Sequence, residues 1–129
     1  MWDAVFCFII MIILTFIFNQ DRITKDLIGG AAVVYLLMAV TWTFAYRLIE
    51  IIHPGSFSIA ESQSLGNSGP FLYYSFVTLT TLGYGDIFPT TSAAKSCAIL
   101  EAVIAQLYLV ITVARLVGVY IQQSWEKKS

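Results

Sequence analysis

Three stretches of mostly apolar residues, separated by polar segments, organise this chain. The first covers residues 4–18 and contains no charged residue, the second covers 27–52, and the third covers 90–125. They are continuous apolar runs rather than strictly alternating patterns, which favours helices over half-buried strands. A membrane-spanning helix needs about 20 such residues, so the first stretch is at the short end and the other two are long enough. The pattern predicts an all-α membrane protein.

The first apolar stretch has two interpretations, a membrane helix or a secretory signal peptide. Asp3 precedes it, whereas a signal peptide carries a positive charge there, and no small-residue cleavage site follows. We therefore expect residues 1–26 to form an N-terminal membrane helix and a linker. Arg22 and Lys25 indicate that this linker is cytoplasmic, because basic residues flank membrane spans on that side. An open alternative is that the helix is the last part of a longer N-terminal sensor domain.

Composition supports a membrane protein and narrows its function. Of 129 residues, 58% are hydrophobic and only 12% are charged, with a net charge of −1. That charge excludes the basic footprint of a nucleic-acid-binding protein. Cys7 and Cys97 lie in apolar stretches without the spacing of metal ligands, so we interpret both as packing residues. We find no nucleophile and base pair either, and we expect no enzyme activity.

A shorter apolar run, at residues 70–80, lies between the second and third stretches. It is too short to span a membrane, and Pro70 suits the first turn of a helix. The segment 53–69 before it is rich in Ser and Gly and has no Lys or Arg, which indicates an extracellular turret. A half-helix that enters from outside would point its carboxyl end, with its partial negative charge, at a cation inside the membrane.

The short run leads into the sequence Thr80-Thr81-Leu82-Gly83-Tyr84-Gly85-Asp86. Its two glycines can adopt left-handed backbone conformations that other residues rarely take. A chain that alternates between left- and right-handed conformations turns successive carbonyl groups to the same side. Around a common axis, four such segments would form stacked rings of oxygens that replace the water shell of an ion.

This motif resembles the selectivity filter of potassium channels. Together with the segment A-Q-L-Y-L-V-I-T-V-A-R-L-V-G at 105–118, it makes residues 22–125 similar to prokaryotic potassium channels of the two-helix pore superfamily. The resemblance implies a pore domain at 27–129. Its parts would be an outer helix at 27–52, the turret at 53–69, a pore helix at 70–80, a filter at 81–86 and an inner helix at 90–125.

The resemblance also implies roles for individual residues. Potassium ions would bind the backbone carbonyls of Thr81, Leu82, Gly83 and Tyr84 and the hydroxyl of Thr81. Gly85 completes the filter, and it holds the outer mouth together with Asp86. The residues expected to support the filter are Thr80, Asp86, Tyr73 and Tyr74.

The chain departs from the family pattern beside the filter. Related channels usually carry two tryptophans at the positions of Tyr73 and Tyr74, and many bacterial pores place a glutamate at Val77 that shares a proton with the filter aspartate. Because Val77 cannot do so, Asp86 needs another partner. We expect this partner to be a tyrosine hydroxyl.

The third apolar stretch carries one face that repeats at helical spacing. In a tetramer this face would line a central cavity and form a gate, and its residues are Gln106, Leu109, Val113, Val117 and Ile121. Glu101 is an ionisable residue at membrane depth and therefore a functional candidate. The interpretation we favour is a carboxyl group hydrogen-bonded to the back of the pore helix.

One chain supplies one filter strand, so the resemblance implies a homotetramer of identical subunits in the cell membrane. It would conduct potassium passively, with its N-terminal linker and C-terminus on the cytoplasmic side. The alternatives are a nonselective tetrameric cation channel and a subunit of a potassium transporter. A transporter of that kind repeats weaker filter loops along one chain, and this sequence has a single loop.

Overall fold

The computed structural model describes residues 25–59 and 69–126. Its elements follow the order α1 (Lys25–Ile52), β1 (Phe57–Ser58), α2 (Gly69–Leu79), β2 (Phe88–Pro89) and α3 (Ser92–Glu126). The helical fold expected from the sequence is confirmed for these residues, with a two-residue strand pair as an addition. The expected N-terminal membrane helix, at 4–18, and the middle of the turret, at 60–68, lie outside the described residues.

Two of the helices are long and apolar enough to cross a membrane. These candidate spans are Leu27–Ile52, of 26 residues, and Ser92–Trp125, of 34 residues. Helix α2 has 11 residues, which is about 16 Å at a rise of 1.5 Å per residue and far short of the roughly 30 Å hydrocarbon core. The structure thus has two helices of spanning length and a short helix between them in the sequence.

A buried carboxylate organises the end of α1. The two oxygens of Glu50 accept hydrogen bonds from the backbone N–H groups of Gly55 (2.7 Å) and Phe57 (3.0 Å). Gly55 has a φ of 84°, in the left-handed region that glycine tolerates best. The turn after the helix therefore folds back over the side chain of Glu50, and this turn directs the chain into β1.

The two strands join the segments on either side of α2. They pair antiparallel, with Phe57 opposite Pro89 and Ser58 opposite Phe88. Beside this pair, the N–H of Thr90 donates to the carbonyl of Ser56 at 2.8 Å. Because the residues after the candidate filter are held in this way by the residues after α1, the loop between α2 and α3 is anchored at its far end.

The described residues belong to two compact units. One contains residues 25–37 and 107–126, and in it Tyr35 and Tyr108 stack with ring centroids 6.3 Å apart. The hydroxyl of Tyr108 also donates to the carbonyl of Ala31 at 2.7 Å. This ring pair and hydrogen bond join α1 to α3 within that unit.

The other unit, Met38–Gln106, has an aromatic core. Tyr74 of α2 meets Tyr46 of α1 edge to face at 5.0 Å between ring centroids, and it meets Phe57 of β1 at 5.4 Å. Such pairs contribute about 0.5–1.5 kcal/mol each beyond the burial of their area. The buried members of this cluster, which fix α2 against α1, β1 and the start of α3, are Tyr46, Phe57, Phe71, Tyr74, Ile87 and Ala94.

Candidate functional site

The loop that carries the glycine motif begins as the cap of helix α2. The carbonyl of Val77 accepts the N–H of Leu82 at 2.9 Å, and the carbonyl of Thr78 accepts the N–H of Thr81 at 3.0 Å. This pair of bonds is the Schellman arrangement, which satisfies carbonyl groups that a helix leaves without intrahelical partners at its carboxyl end. The cap fixes where the first residues of the loop lie relative to the helix.

Thr81 occupies the position in this cap that is usually glycine. Its φ is 59°, and it is the single non-glycine residue with a positive φ among those the structure describes. A β-branched residue in this region is rare, because its Cβ crowds the backbone, and such strain costs on the order of 1–3 kcal/mol. Threonine at this position is less stable than glycine would be. This cost suggests that the threonine side chain has a functional role.

The left-handed conformation recurs at every second residue of the motif. Thr81 and Gly83 both have a φ of 59°, and Gly85 has a φ of 77°. Leu82 and Tyr84, between them, do not share it. The alternation expected from the two glycines is therefore present, and it extends one step further towards α2, to Thr81.

The hydrogen bonds of the cap show which way the first carbonyls of the loop point. The N–H groups of Thr81, Leu82 and Gly83 are all directed at carbonyls of the last turns of α2, the last of them at 3.3 Å from the carbonyl oxygen of Val77. In a trans peptide the N–H and C=O groups point in opposite directions. The carbonyls of Thr80, Thr81 and Leu82, which share those peptide groups, therefore point away from α2.

Backbone conformation, and not lack of space, requires glycine at 83 and 85. A Cβ atom added to either residue would meet nothing within 4 Å in this chain. The positive φ alone penalises a side chain at these positions. Gly55, which lies outside the motif, also has a positive φ and open space where a Cβ atom would lie. A substitution there can therefore serve as a control for substitutions at Gly83.

A tyrosine hydroxyl is a partner of Asp86, as expected from the absence of a carboxyl group at 77. The hydroxyl of Tyr73 donates to Oδ2 of Asp86 at 2.8 Å, and the N–H of Ile87 donates to Oδ1 at 3.1 Å. The hydrogen bond to the Asp86 carboxylate raises the pKa of Tyr73 above its ordinary value. The end of the motif is thus tied back to α2.

The other expected supporting residues have different surroundings. The hydroxyl of Thr80, the first residue after α2, donates to the carbonyl of Phe76 at 2.6 Å, so it is bound to the last turn of that helix. Tyr74 is buried in the aromatic core with Tyr46 and Phe57, and it holds α2 rather than contacting Asp86. Tyr73 and Tyr74 are neighbours in sequence but project to different sides of the helix.

Many residues of the predicted pathway are exposed on the single chain. Leu82 is 54% exposed and Tyr84 is 68% exposed, although both are large and apolar or aromatic. The residues predicted for the cavity and gate are exposed too, namely Gln106, Leu109, Val113, Val117 and Ile121. Exposed apolar surface of this extent is typical of proteins in contact with lipid or with further subunits.

Glu101, by contrast, is completely buried. Its carboxyl group is hydrogen-bonded to the hydroxyl of Tyr46 on α1 and to that of Ser75 on α2. The favoured interpretation from the sequence, a carboxyl bound to the back of the short helix, is confirmed. Its partner Ser75 was not expected from the sequence, although a small polar residue between aromatic residues of the short helix was a signal for it.

The described residues contain no group of three or more His, Cys, Asp or Glu side chains that could hold a metal ion. The oxygen atoms that this loop offers are those of the backbone and of the Thr81 hydroxyl. Backbone carbonyls suit a hard cation such as an alkali metal ion.

Residues 27–122 match the model of a protein family described as "Ion channel". The chain is also similar to the potassium channel protein kcv of Paramecium bursaria Chlorella virus 1. The two are 25% identical over 79 residues, which cover 61% of this chain and 83% of the viral protein. The chain therefore belongs to the ion channel family, and it is a membrane channel and not an enzyme.

Proposed function

We propose that this protein is a potassium-selective channel that conducts ions passively down their gradient. The observation that carries the proposal is the backbone of residues 81–85, in which a positive φ recurs at Thr81, Gly83 and Gly85. Such a backbone turns successive carbonyl groups to one side. The name of the viral relative, a potassium channel protein, supports potassium as the conducted ion.

In this proposal the carbonyls of Thr81, Leu82, Gly83 and Tyr84 and the hydroxyl of Thr81 bind potassium ions. A potassium ion leaves its water shell only if oxygens replace that shell at little cost, and rings of carbonyl dipoles do so. Gly85 and Asp86 would hold the outer mouth. The bonds from the loop to Val77 and Thr78, together with the bond from Tyr73 to Asp86, support this assignment because they anchor the strand at both ends.

The proposed assembly is a homotetramer. One chain contributes one strand of carbonyls, and a closed ring needs several strands around a cyclic axis. The exposure of Leu82 and Tyr84 supports this assembly, since side chains of this kind are normally covered. In the tetramer they would lie between neighbouring filter strands and pore helices.

The rest of the ion pathway is assigned from helical spacing. We propose that Gln106 and Leu109 line a cavity and that Val113, Val117 and Ile121 form a gate. The proposed pore domain covers residues 27–129. Its N-terminal linker and C-terminus would lie on the cytoplasmic side.

A bilayer recording tests the proposal directly. The purified protein is reconstituted in a planar bilayer with high potassium and low sodium on one side and low potassium and high sodium on the other, and the reversal potential is measured. We expect it to lie close to the potassium equilibrium potential. A reversal potential near zero would favour the nonselective cation channel. A flux that saturates at transporter rates and needs a second ion would favour the transporter subunit.

A further inference from the structure

The buried carboxyl group of Glu101 lies at a junction of three helices. It is carried by α3, its oxygens meet Tyr46 of α1 and Ser75 of α2, and it is completely buried. The same Ser75 hydroxyl also lies 2.9 Å from the carbonyl oxygen of Ala39 on α1. One network of hydrogen bonds therefore joins α1, α2 and α3.

The number of protons in this chain of hydrogen bonds determines the charge of Glu101. A serine hydroxyl has one proton to donate, and a backbone carbonyl can only accept. The proton between Ser75 and Ala39 must therefore come from Ser75. The contact between Ser75 and Glu101 then needs a proton from the carboxyl group, because two oxygens at hydrogen-bond distance without a proton between them repel each other.

The surroundings of Glu101 favour the same protonation state. Among the residues that the structure describes, the titratable groups that face it are Tyr46 on α1, Tyr74 on α2 and Cys97 one turn earlier on α3. None of these side chains carries a positive charge in any protonation state. A buried carboxylate without a cation is expensive, whereas a buried carboxylic acid with both oxygens hydrogen-bonded is not.

We propose that Glu101 is a neutral carboxylic acid that donates its proton to Ser75 and acts as a positioning residue for the filter. It receives a hydrogen bond from Tyr46, gives one to Ser75, and Ser75 gives one to Ala39. Ser75 lies two residues before Val77, and the carbonyl of Val77 accepts the N–H groups of Leu82 and Gly83. The position of this segment of α2 therefore sets the position of the filter. The positioning role depends on the function proposed above, and the protonation state does not.

Infrared spectroscopy of the intact channel in lipid tests the protonation state. The carbonyl stretch of a buried carboxylic acid is separate from the bands of a carboxylate. We expect this acid band at neutral pH in the wild type and its loss in Glu101→Gln. If the variant instead removes a carboxylate band, Glu101 is ionised and the assignment is wrong, whether or not the protein conducts potassium.

Three variants test the positioning role, with the tetramer checked by size exclusion in each. Glutamine can accept from Tyr46 and donate to Ser75, so Glu101→Gln should keep the selectivity of the wild type. Ser75→Ala and Glu101→Ala break the chain of hydrogen bonds. We expect each to lower the permeability ratio of potassium to sodium at least roughly fivefold, the factor that corresponds to one hydrogen bond of about 1 kcal/mol.

The outcomes that overturn the role are distinct. If Ser75→Ala forms a tetramer with unchanged selectivity, the hydrogen bonds do not position the filter. If Glu101→Gln loses selectivity as fully as Glu101→Ala, a neutral donor is not what the site requires. A wild-type channel without potassium selectivity would instead refute the proposed function, and the infrared result would still stand.

Discussion

The hydroxyl of Tyr73 lies 2.8 Å from a carboxylate oxygen of Asp86, 13 residues later in the chain. This bond ties the end of the motif to α2, while the bonds from Leu82 and Thr81 to α2 fix its beginning. The candidate filter strand is therefore held at both ends by the same short helix. The first prediction follows from the contact between Tyr73 and Asp86.

Replacing Tyr73 by Phe removes one hydroxyl and frees one oxygen of Asp86. We expect this tetramer to form but to lose potassium current faster during a sustained recording, because the outer mouth is less constrained. Tyr120→Phe removes an exposed hydroxyl from α3 and is the matched control. Equal current decay in Tyr73→Phe and wild type would mean that the bond does not stabilise the filter.

The same bond predicts an alkaline pH dependence. Its partner Asp86 raises the pKa of Tyr73, so the folded protein holds this proton more tightly than the unfolded chain. The contribution of the bond is therefore fully present below the ordinary tyrosine pKa of about 10 and is lost as the pH rises through the raised value. We expect the wild type to approach the behaviour of Tyr73→Phe over that range. If the variant shows the same alkaline change, another group is responsible.

A second prediction concerns Gly83 and the left-handed backbone of the filter. Gly83→Ala should abolish selective conduction, since a side chain disfavours the backbone that directs the carbonyls, although space for it is free in the chain. Gly55→Ala is the matched control, because Gly55 also has a positive φ and open surroundings but lies in the turn after α1. Selectivity is measured from reversal potentials in mixed potassium and sodium.

Comparing Gly83→Ala with Gly55→Ala distinguishes the effect of backbone strain on stability from its effect on ion selectivity. Both should lose stability by roughly 1 kcal/mol, the usual cost of alanine where glycine has a positive φ. We expect selectivity to fail in Gly83→Ala alone. If Gly83→Ala remains selective for potassium, the filter assignment is wrong.

A third prediction concerns Thr81, which adopts a conformation suited to glycine. Thr81→Gly should stabilise the tetramer against heat by relieving strain of about 1 kcal/mol or more, while removing the hydroxyl proposed to bind potassium. Thr81→Ser keeps the hydroxyl and should keep conduction. The measurements are the melting temperature and the potassium conductance. A Thr81→Gly channel with unchanged conductance would show that the hydroxyl is not a ligand.

The last prediction concerns the proposed gate at Val117, which is 52% exposed on the single chain. An apolar ring can stop ions by excluding water. Val117→Asp would place carboxylates on this ring, and their repulsion and hydration should raise the resting open probability. Val117→Asn adds polarity without charge and should have a smaller effect. An intact Val117→Asp tetramer with unchanged open probability would move the gate to another part of the channel.

Several features were determined by the sequence alone, because their causes are local. Long apolar runs predict α1 and α3, whose observed bounds, Lys25–Ile52 and Ser92–Glu126, lie within a few residues of the expected ones. The positive φ at Gly83 and Gly85 was foreseeable from the sequence, because glycine tolerates this conformation and the motif places one at every second residue. Membership in an ion channel family, expected from the motif, is confirmed by the match over residues 27–122.

The tertiary structure decided what depends on contacts between distant residues. Threonine has no preference for a positive φ, and Thr81 adopts it because its N–H and that of Leu82 are bound by carbonyls of α2. The sequence predicted a tyrosine partner for Asp86, but the rotation of α2 selected Tyr73 and turned Tyr74 into the aromatic core. The strand pair β1–β2 is too short for any periodicity to reveal, and the partners of Glu101 lie 26 and 55 residues away. These contacts form only when the helices pack against each other. Local sequence around either partner does not determine which distant residue it will meet.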